Sequence, residues 1–162
     1  MKAILAVILI FFCIGLLCTF YFLDKEYFLC PIEYHGDIII RNDARGEGSF
    51  ASPRNGNRIH EGIDLFAKVA TDVLASRSGK VLAATSNKGM GKYVVIRHRG
   101  GIKTIYGHLS EIKVRKGQFV RQGQLLGRVG KTGNANYRDI QPHLHFEIKK
   151  DGIPQDPLEY LP

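Results

Sequence analysis

The chain has 162 residues, 44% of them hydrophobic, with 23 Lys and Arg against 15 Asp and Glu and a formal net charge of +8. That length holds one ordinary domain plus an appendage. Its three cysteines, Cys13, Cys18 and Cys30, all lie in or beside an apolar N-terminal run, which excludes a disulfide framework and a cysteine nucleophile from the rest of the chain.

Taken in chain order, Ala3 to Leu23 carries no charge and is almost wholly Ile, Leu, Val, Phe, Ala and Cys. About 20 apolar residues suffice to cross a bilayer. The run exceeds the roughly 7–15 residues of a cleaved signal core, and no Ala-x-Ala pattern follows it. Residues 1–23 are therefore predicted to be an uncleaved single-pass membrane anchor. Lys2 favours a cytoplasmic N-terminus and an exported remainder, outside the cytoplasmic membrane. Lys2 and Lys25 balance Asp24 and Glu26, so the +8 belongs to the exported part. A basic surface there suits an anionic partner such as a cell-wall polymer or lipid headgroups. No basic-aromatic stripe points to nucleic acid. Residues 24–40 are predicted as a juxtamembrane spacer and lead-in strand: Pro31 to Gly36 is the spacer, with a solvated His35, and Asp37 to Arg41 the strand. Residues 42–58, rich in Gly, Asn, Arg and Ser, form a loop. A long loop just before a candidate metal motif often belongs to the site.

The stretch 60–74 is ambiguous, because Ile63, Phe66, Ala70, Val73 and Leu74 fall at helical spacing. On a helix, His60-Glu61-Gly62-Ile63-Asp64 would be a metal motif with Glu61 as general base. Gly62 inside it argues against a helix. From Val73 onward the pattern is β. Val73-Leu74-Ala75, Lys80-Val81-Leu82-Ala83, Tyr93-Val94-Val95-Ile96 and Lys103-Thr104-Ile105-Tyr106 are short β-prone runs punctuated by glycines. Such spacing predicts a mainly β sandwich or barrel. Val114 to Val129 is predicted as a pair of hairpins bending at Gly117, Gly123, Gly127 and Gly130.

Four of the six histidines gather in three short motifs. His143-Leu144-His145-Phe146-Glu147-Ile148 alternates strictly. On a strand Leu144, Phe146 and Ile148 would face a core, while His143, His145 and Glu147 share the other face, the two histidines about 6–7 Å apart at the backbone. One can bind a metal while its neighbour moves protons. His60 and Asp64, four apart, can reach one ion from a turn or bent strand, with Gly62 permitting the bend. His108 follows a β-run in Tyr106-Gly107-His108-Leu109. His98 ends a strand and is expected to be structural or solvated. Neutral imidazole and carboxylate are standard zinc ligands, and a catalytic zinc usually keeps three of them plus a water.

In this order, His-x-x-x-Asp, Tyr-x-His-Leu and His-Leu-His-Phe-Glu resemble the LytM/lysostaphin-type zinc endopeptidases, peptidase family M23. Gly62-Ile63-Asp64-Leu65, Val114-x-x-Gly117-x-x-Val120-x-x-Gly123-Gln124, Gly127-x-x-Gly130-x-Thr132-Gly133-Asn134 and Pro142-His143-Leu144-His145 extend the resemblance over about Arg41 to Leu161. It implies an antiparallel β domain over 41–162 with a narrow groove, and one zinc ion held by His60, Asp64 and His145. His108 and His143 match the family's catalytic pair. The implied activity is hydrolysis of peptide crosslinks of peptidoglycan by metal-activated water. Glu147 is then a candidate to orient a ligand imidazole, or equally a surface charge; Tyr106 is a candidate to hydrogen-bond the oxyanion, although a packed strand residue is the preferred reading; and Asn134 is a candidate to line the groove. Val69-Ala70-Thr71-Asp72 departs from the family's usual Pro-x-Gly-Thr turn. The implied partners are peptidoglycan peptide stems and an unidentified regulatory protein, in the bacterial cell envelope. Some relatives of this fold have lost site residues and activate other wall hydrolases by binding them, so a non-enzymatic regulator is the alternative. The Gly117 to Gly130 hairpins also resemble a biotinyl/lipoyl carrier, but no convincing acceptor lysine stands on a tight turn.

Overall fold

The computed structural model describes residues 2–21, 27–54 and 56–162, with side chains in the first segment described for 4–15. Helix α1 spans Lys2–Tyr21. Its described side chains are apolar and exposed, Phe11 at 71% among them. Among the described residues no helix is long and apolar enough to cross a membrane. The transmembrane anchor expected over 1–23 is thus not supported. Residues 22–26, which join that expected anchor to the spacer, lie outside the described residues.

Downstream the chain is mainly β. Two small hairpins come first, β1 (Asn42–Asp43) with β2 (Gly46–Glu47), and β3 (Pro53–Arg54) with β4 (Arg58–Ile59). Then follow β5 (Ile63–Phe66), β6 (Asp72–Leu74), β7 (Gly79–Asn87), β8 (Gly91–Arg97), β9 (Ile102–Ile112), β10 (Phe119–Val120), β11 (Leu125–Val129), β12 (His143–Lys150) and β13 (Ile153–Gln155). These last nine form one antiparallel sheet in the order β10-β7-β8-β9-β11-β6, with β12 pairing β9, β5 and β13. The helical alternative for 60–74 fails. Ile63, Asp64 and Leu65 are buried on strand β5, whose only strand partner is β12.

Strand β9 is the hub. Its first half, to Gly107, pairs with β12, and its second half, from Leu109, pairs with β11. On its other edge Lys92 of β8 opposes Leu109 and Val94 opposes Tyr106, so Gly107 and His108 together face the single residue Tyr93. That is a bulge, and bulges re-aim side chains. His108 sits in it at φ 61, a left-handed conformation that a non-glycine residue holds only where its surroundings enforce it.

Alternate residues of these strands make the core. Ile63, Leu65, Val73, Val81, Val94, Ile96, Tyr106, Leu109, Leu126, Leu144, Phe146 and Ile148 are at most 1% exposed. Three local expectations are corrected. The spacer packs instead of floating: Phe28 and Ile32 are core residues, and the Tyr34 hydroxyl donates to Phe66 O at 2.8 Å. Apolar side chains at these positions gain more by burial than by hydration. Asp37 to Arg41 is not a strand, because only Ile40 finds a partner, in a single bridge to Leu65. Finally, β10 and β11 do not pair with each other. Gly117 and Gly123 turn at φ 87 and 77 and send β10 to β7, leaving β11 between β9 and β6.

Candidate metal centre

The site grows from the pairing of β5 with β12, where His145 lies directly opposite Asp64 and His143 opposite Phe66. His60, just before β5, is carried into register by Gly62. Sequence reasoning gave Gly62 the role of a flexible bend. Its φ is not positive; instead a Cβ there would lie 2.3 Å from Phe146 O, so only glycine lets the chain pass β12.

Three atoms converge. His60 Nε2 lies 3.0 Å from His145 Nδ1 and 3.1 Å from Asp64 Oδ1, and His145 Nδ1 lies 2.9 Å from Asp64 Oδ1. The remaining ring nitrogens define the tautomers. His60 Nδ1 faces Ser49 O at 2.9 Å. A carbonyl only accepts, so this nitrogen carries the hydrogen and Nε2 offers a lone pair. His145 Nε2 faces Glu147 Oε1 at 2.9 Å, leaving Nδ1 as its lone-pair atom. The three atoms thus form a triangle of lone pairs. A tetrahedral ion with bonds of about 2.0–2.2 Å has ligand–ligand edges of roughly 3.3–3.6 Å, so a small outward spread of the three atoms separates this triangle from a zinc face. Among the described residues this trio is the only group of three or more His, Cys, Asp or Glu arranged to hold a metal. Its two imidazoles and one carboxylate suit zinc.

His108 and His143 stand beside the triangle, their rings 4.9 Å apart. His108 Nδ1 donates to Thr132 O at 3.0 Å and His143 Nδ1 to Gln141 O at 2.7 Å. Each therefore keeps Nε2 for chemistry; that of His143 is 3.8 Å from Asp64 Oδ1. Burial, reinforced by His143 and His145, pushes His108 down to about 3. Burial also lowers His143, so both are neutral at pH 7. For His145, burial works downward, but its bonds to Asp64 and Glu147 prevail and lift it to about 9. Burial would raise Asp64, yet His145 and His60 hold it well below the usual carboxylate range.

Beneath the triangle lies a support that the motifs do not show. Arg41, 5% exposed, donates to Asp64 Oδ2 through Nη2 at 2.9 Å and Nε at 3.3 Å, and to Asp43 Oδ1 through Nη1 at 2.6 Å. Asp43 Oδ2 in turn accepts from Gln141 N at 2.9 Å, and the carbonyl of the same Gln141 orients His143. A continuous polar chain thus runs from Asp64 to His143. The Arg41-Asn42-Asp43 spacing is its only trace in the sequence. Glu147 is 2% exposed and holds His145, and Asn134 lines the groove. The face of β12 that carries His143, His145 and Glu147 is buried as well. Tyr106 must be removed from the groove. It is fully buried, and its hydroxyl meets Ser76 N and Thr104 Oγ1, each at 3.0 Å. Its ring packs on Phe146 because Tyr106 points to the core side of β9. His98 is buried and bonded within the fold, which is the structural alternative, and His35 is exposed.

The groove over the site encloses about 720 Å³. Arg45, Arg54, Arg58, Met90, Asn134 and Tyr137 are among the residues that line it. Arg45 bonds Asp139 at 2.6 Å and lies over the Tyr137 ring.

Comparison with known proteins agrees with this geometry. Residues 58–157 match the model of peptidase family M23. The chain is 40% identical over 116 residues to the lipoprotein NlpD/LppB homolog of Pseudomonas aeruginosa, covering 71% of this chain and 36% of that protein. It is 37% identical over 100 residues to the peptidoglycan DD-endopeptidase ShyB of Vibrio cholerae, covering 62% of this chain and 22% of that one. The chain therefore spans well under half the length of these relatives. Among solved structures, a zinc containing peptidase from Vibrio cholerae superposes with a TM-score of 0.65 at 30% identity, over 81% of this chain and 39% of that one. The matched segment covers every strand from β4 to β13, together with both histidine pairs and Asp64, and on that ground the chain belongs to peptidase family M23.

Proposed function

We propose that this protein is a zinc-dependent endopeptidase that hydrolyses peptide crosslinks of peptidoglycan. In this reading His60, Asp64 and His145 hold one zinc ion, and His108 and His143 are the catalytic pair. The observation that carries it is the triangle of lone pairs beside two neutral imidazoles. Family membership and the zinc-containing neighbour support the choice of metal. The endopeptidase relative supports the choice of substrate.

Zinc bound at the triangle supplies Lewis-acid polarisation of the scissile carbonyl and acidifies the attacking water. The chain's own residues do the rest. Glu147 and Ser49 O fix the ligand imidazoles in their lone-pair tautomers. Arg41 binds Asp64 through the oxygen that faces away from the triangle, which leaves Oδ1 for the metal. His108 and His143, with Nδ1 protons held by carbonyls, accept and return a proton at Nε2 and hydrogen-bond the developing oxyanion. Residues 41–162 form the peptidase domain, whose core reaches back to Phe28. The cell envelope is its location. The apolar, exposed side chains of α1 over 4–15 then need an apolar phase or a partner to cover them.

The likeness to the NlpD/LppB lipoprotein homolog, beside that to an endopeptidase, keeps a second reading, a regulator of another wall hydrolase. One experiment separates the two. Purified peptidoglycan is incubated with the full chain, with and without zinc, beside His145→Ala, and the products are read by mass spectrometry. Zinc-dependent loss of crosslinked dimers with the native chain alone is expected. Intact dimers despite retained zinc would leave the regulator.

A further inference from the structure

Four arginines reach the groove, and they are not equivalent. Arg41 is committed to Asp43 and Asp64, and Arg45 to Asp139. Arg54 is clamped at one end only. Its Nη1 donates to Glu47 O at 2.9 Å, Ser52 Oγ at 2.8 Å and Pro53 O at 3.2 Å. Its Nη2 makes one long contact, 3.5 Å to Asp64 Oδ2, an oxygen that Arg41 already engages at 2.9 Å. Its Nε–H has no partner among the described residues. The Nε–Nη2 edge is the fork that matches a carboxylate with two parallel hydrogen bonds. Here that edge is open, on a side chain 24% exposed and already fixed in the wall. Two guanidiniums share the Asp64 carboxylate, and Glu61, an acid on the groove rim, is paired with Lys149. The wall beside the metal triangle thus presents a pre-organised guanidinium fork whose Nε–Nη2 edge no carboxylate holds at short range.

We propose that Arg54 binds a free carboxylate of the substrate, so that the peptides taken by this groove carry one within a residue or two of the scissile bond. The inference rests on the peptidase reading and narrows its substrate. Arg54 contacts the outer oxygen of Asp64, whose inner oxygen belongs to the triangle, so a carboxylate on the fork sits roughly two residue lengths or less from the metal position. A crosslink whose amine stands on a carbon bearing a carboxylate meets this demand. A neutral glycine bridge does not.

The test uses two synthetic crosslinked peptides that differ only there, one with the acid and one with the primary carboxamide. Each is titrated calorimetrically into the zinc-loaded full chain, and hydrolysis is followed in parallel by mass spectrometry. The acid should bind roughly 10–100-fold more tightly, the range for a charge-assisted pair. Arg54→Gln should bring the acid down to the carboxamide's level. Arg54→Lys, which keeps the charge and loses the fork, should leave an intermediate gap. Equal affinities in the native protein, or a gap that survives Arg54→Gln, overturns the proposal. A clear gap with neither peptide cleaved upholds the carboxylate site and overturns the peptidase reading instead.

Discussion

Strand β9 has a buried histidine cluster near each end, and the two handle their protons differently. Near its start, His98 Nδ1 faces Ser78 O at 2.9 Å and Nε2 faces the Thr104 hydroxyl at 2.7 Å. That hydroxyl lies 3.0 Å from the Tyr106 hydroxyl, which accepts from Ser76 N. Protons and lone pairs alternate along this path, so it is complete without a ligand. Toward the other end, His60, Asp64 and His145 turn three lone pairs toward one point. Only a cation between them relieves that arrangement. In the metal-free protein the cation is a proton, which is why His145 is lifted to about 9. Burial alone does not distinguish a ligand histidine from a structural one: His98 and His60 are both 6% exposed. The direction of the lone pairs does.

The contrast can be broken most decisively at its two ends. His145→Ala should abolish zinc retention, measured by chelator competition, and reduce peptidoglycan cleavage to background. His98→Ala should leave zinc retention intact while costing about 1–3 kcal/mol in urea unfolding, since Ser78 O and the Thr104 hydroxyl lose a buried partner. Zinc lost from a folded His98→Ala protein would end the distinction.

Gly62→Ala tests whether the lone-pair triangle depends on the approach of β5 to β12. A Cβ 2.3 Å from Phe146 O must push the strands apart. The expected cost is roughly 1–3 kcal/mol of stability, with weakened zinc binding, and the His98 end should keep its hydrogen-exchange protection. Glu147→Gln sharpens the tautomer argument: zinc affinity should drop about 10–100-fold with little change in unfolding midpoint. A neutral amide can present its NH2 to His145, so the imidazole loses its fixed tautomer.

The smallest effect is in pH. The metal-free folded protein holds a proton on His145 up to about 9, above the ordinary histidine value of 6.5. The stability this proton contributes is fully present below about 6.5 and is lost as pH rises through about 9. Zinc must displace it. Zinc affinity should therefore rise by at most about tenfold per pH unit across that window and level off above it. Calorimetry in buffers of different ionisation heat should register close to one proton released per zinc near pH 7.5. No release would mean that the triangle is not proton-bridged.

How much of this was legible before the fold depended on range. The alternation His143-Leu144-His145-Phe146-Glu147-Ile148 encodes its own strand, and the three histidine motifs were visible because each is local. Arg41 was not, because its partner Asp64 is 23 positions away and the two segments meet only in the folded chain, through bonds such as Arg41 N to Asp64 O. Tyr106 was open to two readings, groove or core, because proximity to His108 in sequence does not reveal the bulge. The bulge at Gly107 and His108 turns one residue to the core and the other to the site. Phe28 and Ile32 looked like spacer because composition around Pro31 suggests a linker, and only packing shows them as core. The partners of β10 and β11 depend on turn directions at Gly117 and Gly123 that no periodicity encodes.

The entry point of the chain has a mechanical consequence. Phe28 meets the His98 ring, and Leu29 N is bonded to Ser76 O. Lys103, paired with Arg97 beside His98, is five residues from His108 along β9, roughly 17 Å. Tension applied through the N-terminus is therefore taken up first by the Leu29–Ser76 contact and the Gln122 side chain that holds Tyr27 O. The lone-pair triangle lies at the far side of the sheet from that load. A protein gripped by its N-terminus while a stretched polymer lies in its groove would bear the strain along the length of β9, and the Tyr27 end would yield before the metal ligands were pulled out of register.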